Sequence, residues 1–312
     1  MTSILSAPYF HDEQAAYDFI EGRIWANGRV CPKCGVIGES GKLNGKSTRI
    51  GVYKCYACRK PFTVKVGTVF ESSHIPMRLW LQAIFLIASS KKGISTNQLQ
   101  RTLGITIKAA WFLTHRIREA MKDGSVDMFG VDGGAVEVDE TFIGRDFRKK
   151  PKGEKRGRGF YHKSKVVSLV DRSTGRARSI VVDRLRAKTL YPILNANIAR
   201  EARLMTDEAS YYQTIGKMFA QHGWTLHGQG NYVNRKDNTI HTNTVEGFFS
   251  IFKRGMKGIY QHCNHNHLHR YVTEFDFRYN NRAANGVDDV QRAEILLRGV
   301  VGKRLTYRTV AC

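Results

Sequence analysis

Val136-Glu137-Val138-Asp139-Glu140-Thr141 carries two conflicting signals. Val136 and Val138 alternate as in a half-buried β-strand, yet carboxylates stand where a core strand normally holds apolar groups. A carboxylate that is not freely solvated needs a cation, a donor or a proton, so this strand calls for partners elsewhere in the chain. Two candidates follow. Asp207 ends the apolar run Arg203-Leu204-Met205-Thr206, another strand-like segment, and Glu246 opens an amphipathic helical segment over residues 241–254. Strand, strand and helix together make a workable metal cradle. Each position also has a plainer reading: Asp139-Glu140 as the solvated end of an edge strand, Asp207-Glu208 as a helix start, and Asn243 with Glu246 as a capping box.

The remainder of the chain supplies what such a trio needs to act on nucleic acid. Its 312 residues, 42% hydrophobic, are enough for two or three domains. Fifty Lys and Arg against 27 Asp and Glu give a net charge of +23, and the pI is about 9.9. That balance points to a polyanionic partner, with nucleic acid first. No lipidation signal, long apolar span, basic amphipathic terminus or secretory signal is legible, so no membrane role is expected and the bacterial cytoplasm, at the nucleoid, is the expected location.

Four of the six cysteines form two Cys-x-x-Cys pairs, Cys31/Cys34 and Cys55/Cys58, while Cys263 and Cys312 stand alone. Two such knuckles twenty residues apart have zinc-ribbon spacing. A closed four-thiolate shell leaves no open position, so the zinc is structural. The ribbon is expected over residues 25–71, after an N-terminal helix within 1–24, and its basic hairpin, residues 42–54, offers a DNA contact. Residues 72–125 turn helical and resemble a helix-turn-helix. Its second helix, with Lys108, His115, Arg116 and Arg118, would enter a major groove; a helical linker packing Trp111, Phe112 and Ile117 is the alternative.

Residues 145–165 hold ten Lys or Arg against two acidic residues. This composition builds no core and suits a loop that clamps phosphates. A hairpin over residues 165–183, a helix over 189–198 and the strand ending at Asp207 then complete a βββαβ order. The order matches a ribonuclease-H-like arrangement, in which acidic residues from the first strand, the fourth strand and a later helix meet. The catalytic domain is expected over 130–285, followed by a tail, 286–312, without assigned chemistry.

With these stretches the chain resembles the DDE-type insertion-sequence transposases that carry an N-terminal zinc ribbon, the ISXO2-like group. The carrying motifs are the two cysteine knuckles, Val138-Asp139-Glu140-Thr141-Phe142-Ile143-Gly144, Met205-Thr206-Asp207-Glu208, His241-Thr242-Asn243-Thr244-Val245-Glu246 and Phe252-Lys253-Arg254. The resemblance implies an α/β fold with a ribonuclease-H-like domain behind the ribbon and helix-turn-helix. It also implies binding of double-stranded transposon ends and target DNA by a homodimer or higher oligomer, and strand cleavage and joining with two Mg²⁺ or Mn²⁺ ions. By position, Asp139, Asp207 and Glu246 are the implied metal ligands, with Asn243, one turn before Glu246, assisting or replacing it. Lys253 is the implied phosphate contact. Two metals can activate the attacking oxygen and stabilise the leaving one, and the 3′-hydroxyl left by the first cut can attack target DNA in the same site.

His262, Cys263, His265, His267 and His269 form a denser cluster that fits no ligand template, with a second metal site as the minor reading. Two other functions share the fold: an inactive DNA-binding regulator, against which the filled acidic positions speak, and a structure-specific nuclease that cuts without joining.

Overall fold

The computed structural model describes residues 3–125, 127–146, 162–226, 228 and 233–306. The chain forms two compact units, residues 1–122 with 288–312, and residues 123–287. Most of the basic segment 145–165 lies outside the described residues.

The first unit opens with helix α1 (Glu13–Ile24), whose N-cap Asp12 accepts from Ala15 N. The ribbon is a three-stranded antiparallel sheet, β1 (Ser40–Lys42), β2 (Tyr53–Cys55) and β3 (Pro61–Phe62), in the order β1-β2-β3. So small a sheet buries little, and its core is Cys31, Tyr53, Cys55 and Phe62 with Trp25 and Cys58 against them. Helix α2 (Met77–Ser89) is apolar almost throughout. Its N-cap is Pro76, which has no capping side chain, and the Glu13 carboxylate fills that role by accepting from Met77 N at 2.7 Å and Arg78 N at 3.1 Å. The C-terminal helix Asp289–Arg298, capped by an Asp288/Gln291 box, packs on α2 within this unit.

Helices α3 (Thr96–Leu103) and α4 (Ile107–Ala120) are capped by Ser95 and Thr106 and joined at Gly104, which takes φ +64°. Two helices joined by a glycine turn are therefore present, but the residues expected to face DNA do not point outward. His115, Arg116 and Arg118 are all buried. Arg116 donates to the carbonyls of Val69 (2.9 Å), Glu71 (2.7 Å) and Leu305 (3.1 Å), backbone acceptors from outside its own helix. Only the first turn of α4, with Ile107 and Lys108, is exposed.

The second unit is a five-stranded mixed sheet in the order β6-β5-β4-β7-β8. Strands β4 (Ala135–Ile143), β5 (Ser164–Asp171) and β6 (Ala177–Val182) run antiparallel, whereas β7 (Arg203–Asp207) and β8 (Gln221–Thr225) run parallel to β4. Helix α5 (Ala187–Asn197) makes the crossover from β6 to β7, and α6 (Ser210–Gly216) lies between β7 and β8. Strand β8 is absent from the sequence reading: Gln221-His222-Gly223-Trp224-Thr225 has no apolar alternation, and Trp224 is exposed.

Period two sorts β4 between two cores. Val136 and Val138 pack with Leu190, Leu194, Leu204 and Tyr212 on the α5–α6 face. Ile143 packs with Val245, Phe248, Phe249 and Phe252 of α7 (Asn243–Gly255) and with Leu268 and Phe275 of α8 (His265–Asn280) on the other. The odd-numbered Glu137, Asp139 and Thr141 thus share the α7–α8 face with Ile143. Among the described residues, no helix is long and apolar enough to cross a membrane.

Candidate active site and zinc centre

In the ribbon, two similar turns present the thiols. Gly35 follows the first pair at φ +78°, and Arg59 holds the same place after the second at φ +58°. The four Sγ atoms lie within 4.8 Å of one another, with Cys31–Cys58 at 3.7 Å and Cys34–Cys55 at 3.6 Å. A tetrahedral site with Zn–S bonds of 2.3 Å separates its sulfurs by about 3.8 Å, whereas a disulfide needs about 2.05 Å. The cysteines therefore fit zinc and not a disulfide.

In the second unit, the β4–β7 register pairs Glu137 with Met205. Two residues further along both strands, this places Asp139 beside Asp207 at the end of the sheet. Helix α7 brings Glu246 to the same place. Burial, followed by the charges of Glu140, Asp207 and Glu246, raises the Asp139 carboxyl to about 8 although Glu140 N donates to its Oδ1 at 2.7 Å. Burial is the larger cause and the neighbouring negative charges add to it, so protonation or a cation would relieve the Asp139 carboxylate. The charge of these carboxylates suits a divalent ion, although among the described residues the groups of three or more possible ligands gathered within 4.8 Å are the four cysteines and Asp146 with Asp183 and His265.

Asn243 is exposed in the first turn of α7, and Lys253 is exposed two turns beyond Glu246. The capping box of Asn243 with Glu246 does not form. Thr242 is the N-cap, Asn243 is the first helical residue, and Thr242 Oγ1 donates to Glu246 Oε1 at 3.3 Å.

The residue that sequence reasoning passed over is Glu137. It is 0% exposed. Its Oε1 accepts from Arg172 Nε (2.6 Å) and Thr244 Oγ1 (2.7 Å), and its Oε2 accepts from Val245 N (2.9 Å). Arg172 also donates to the carbonyls of Thr239 (2.7 Å) and His241 (2.8 Å). A strand carboxylate thus caps the N-terminus of α7 from outside the helix, two residues before Asp139 on the same face. Its one legible signal was a carboxylate on the core-facing phase of a strand. Glu140 points the other way, where Tyr211 and Tyr212 of α6 donate to it, Tyr212 at 2.8 Å.

The histidine cluster does not converge on itself. His265, His267 and His269 occupy the opening turns of α8, His262 is exposed, and Arg270 Nη1 lies 3.5 Å from His267 Nδ1. Among the described residues His265 joins other possible ligands: its Nδ1 is 2.9 Å from Ser164 Oγ and 3.9 Å from Asp146 Oδ2, and its Nε2 is 3.6 Å from Asp183 Oδ1.

Residues 132–280 match the ISXO2-like transposase domain, and residues 11–61 match the transposase zinc-ribbon domain. An uncharacterized protein in transposable element ISH50 of Halobacterium salinarum is 27% identical over 282 residues, covering 86% of this chain and 91% of its own. Among solved structures, a simian T-cell lymphotropic virus intasome in complex with a PP2A regulatory subunit is similar at 13% identity and TM-score 0.29, over 57% of this chain and 63% of that one. A pre-cleavage Mos1 transpososome is similar at 12% identity and TM-score 0.23, over 66% and 78%. With a transposase zinc ribbon ahead of an ISXO2-like transposase domain, the chain belongs to the DDE-type insertion-sequence transposases of the ISXO2-like group.

Proposed function

We propose that the second unit has a ribonuclease-H-like fold and that Asp139, Asp207 and Glu246 form its catalytic centre for cutting transposon ends and joining them to target DNA. The observation that carries this reading is the placement of these residues, from two neighbouring strands and a helix, at one end of the sheet, where the charges of Asp207 and Glu246 act on the buried Asp139 carboxyl. The strand order, three antiparallel strands followed by two parallel to the first, supports the fold. Two Mg²⁺ or Mn²⁺ ions held by these residues would supply Lewis-acid stabilisation of the phosphoryl transfer.

The chain's own groups then act on the DNA. Lys253, exposed on the Glu246 side of α7, attracts the phosphate of the reacting strand. Asn243 offers amide donors beside Glu246. In the first unit, the exposed first turn of α4 and the basic ribbon hairpin read the transposon end, in a homodimer or higher assembly on DNA. The decisive assay compares Asp139→Asn and Asp207→Asn with the wild type on the DNA flanking its own gene. Both variants should lose metal-dependent cleavage and strand transfer while retaining binding. Full cleavage by Asp139→Asn would remove the proposal, and cleavage without joining by the wild type would make the protein a nuclease.

A further inference from the structure

The antiparallel strands of the second unit bring three chain segments to one corner of the sheet. Strand β4 leaves it at Ile143, β5 enters at Ser164 directly opposite, and β6 leaves at Val182, opposite Lys165. Asp146 follows β4, Asp183 follows β6, and His265 opens α8. One ligand atom from each of Asp146, Asp183 and His265 lies within 4.8 Å of the other two, the same bound that contains the four ribbon sulfurs. Ile143 is already four strand residues, about 13 Å, beyond Asp139, so this group stands apart from the carboxylates proposed for catalysis.

Asp146 is 0% exposed, and a carboxylate taken that far from water needs donors or a cation. The two ring nitrogens of His265 face different partners. Nδ1 lies 2.9 Å from Ser164 Oγ, and a ring that donates its Nδ1–H there presents Nε2 as a lone pair. Nε2 lies 3.6 Å from Asp183 Oδ1. With no proton between them the two atoms repel, but both can reach one ion: ligand bonds of about 2.0–2.2 Å set neighbouring ligand atoms about 3–3.6 Å apart, from octahedral to tetrahedral angles. The Asp183 side chain is 67% exposed, which leaves it the rotamer freedom to settle on an ion. A histidine ligand oriented by a hydrogen bond from its other nitrogen is the usual arrangement in metal sites.

We infer that Asp146, Asp183 and His265 bind one divalent transition ion of the zinc class, at a site separate from the ribbon and from Asp139. Each aspartate supplies a carboxylate oxygen, His265 supplies Nε2, and Ser164 orients the ring. The imidazole selects Zn²⁺ over Mg²⁺ and Ca²⁺, which take oxygen ligands, and water completes a shell of three protein ligands. The place of the site in the chain gives the ion a structural task. Asp146 N donates to His162 O at 2.6 Å, so the residues flanking the basic segment 147–161 meet at this corner, Asp146 as a ligand and Ser164 through His265. A bound ion staples both flanks to the end of β6 and the first turn of α8.

The probe is Zn²⁺ alone. The full chain carrying Asp139→Asn and Asp207→Asn, so that those carboxylates do not take up the probe, is dialysed to equilibrium against Zn²⁺ near neutral pH with Mg²⁺ in excess, and elemental analysis reads zinc per chain. Two ions are expected, one at the cysteines and one at this corner. Adding His265→Gln should remove the second ion and leave the first, and it should abolish the rise in Tm that the second ion brings. Ser164→Ala, which removes only the orienting hydrogen bond, should weaken the second ion by about 10–100-fold. Asp183→Asn should weaken it at least as much, and because that side chain is exposed the variant keeps the test decisive if His265→Gln fails to fold. The inference is overturned if the chain takes up a single ion, if the second ion survives both His265→Gln and Asp183→Asn, or if Mg²⁺ displaces it. The assay reads binding and no cleavage, so its outcome is independent of the strand-cleavage reading.

Discussion

Replacing Glu137 tests whether the helix that carries Glu246 is held by the strand that carries Asp139. In Glu137→Gln the volume stays, but one acceptor oxygen becomes an NH₂ donor facing either the Arg172 guanidinium and Thr244 hydroxyl or the Val245 N–H. Whichever way the amide turns, at least one donor meets a donor, and Arg172 loses its counter-charge. Breaking a buried ion pair from one side costs about 3–5 kcal/mol. The Arg172 side chain is 20% exposed and can recruit water, which brings the expected loss to about 2–4 kcal/mol. For a unit of this size that lowers Tm by about 5–15 °C.

The functional effect should exceed the stability effect, because α7 carries Glu246, Asn243 and Lys253 and loses its external cap. At a temperature where the variant is still folded, cleavage should fall by about 10²-fold with DNA affinity unchanged. A thermal melt and a cleavage time course on the same preparation read both quantities. Arg172→Met alone should also destabilise, and the double variant Glu137→Leu/Arg172→Met should cost less than the two single changes summed, since no buried charge is then left unpaired. A Glu137→Gln protein that melts within 1 °C of the wild type on this scale and cleaves normally would refute the clamp.

Elemental analysis should find one zinc per chain, falling toward zero in Cys55→Ser with loss of the ribbon fold; a ratio unchanged by that substitution would reject the four-cysteine site. Before any divalent ion is added, Asp139 contributes to pH dependence with a definite sign. Its folded-state value of about 8 lies above the ordinary 3.8, so the native state binds the proton more tightly. The stability from that proton is complete below about pH 4 and is lost as pH rises toward 8. Asp139→Asn should therefore melt higher than the wild type at pH 8, match it more closely at pH 4, and lose the Mg²⁺-induced rise in Tm; a lower Tm at pH 8 would contradict the origin given for the raised value. Glu246→Gln should cripple cleavage and Asn243→Ala should slow it less. The reverse order would transfer the third position to Asn243.

The local signals in the sequence were sufficient where structure follows from near neighbours. Cysteine spacing defined the ribbon because a knuckle closes over four residues. Alternation and caps defined β4 to β7, α1, α3 and α4 because hydrogen bonding and side-chain phase repeat within a few positions. Asp139 and Asp207 stood out as candidates because a carboxylate in or at the end of an apolar run is itself anomalous, and Glu246 by its place in an amphipathic segment. Tertiary structure decided what depends on direction and on distant partners. A basic helix does not announce which face is outward: His115, Arg116 and Arg118 turn inward, and Arg116 satisfies backbone carbonyls from elsewhere in the chain. Strand β8 exists because β7 offers it a ladder, its own residues having little preference. Glu137 looked like one more acidic residue until folding set it against Arg172 and the α7 terminus, 35 and 108 positions away.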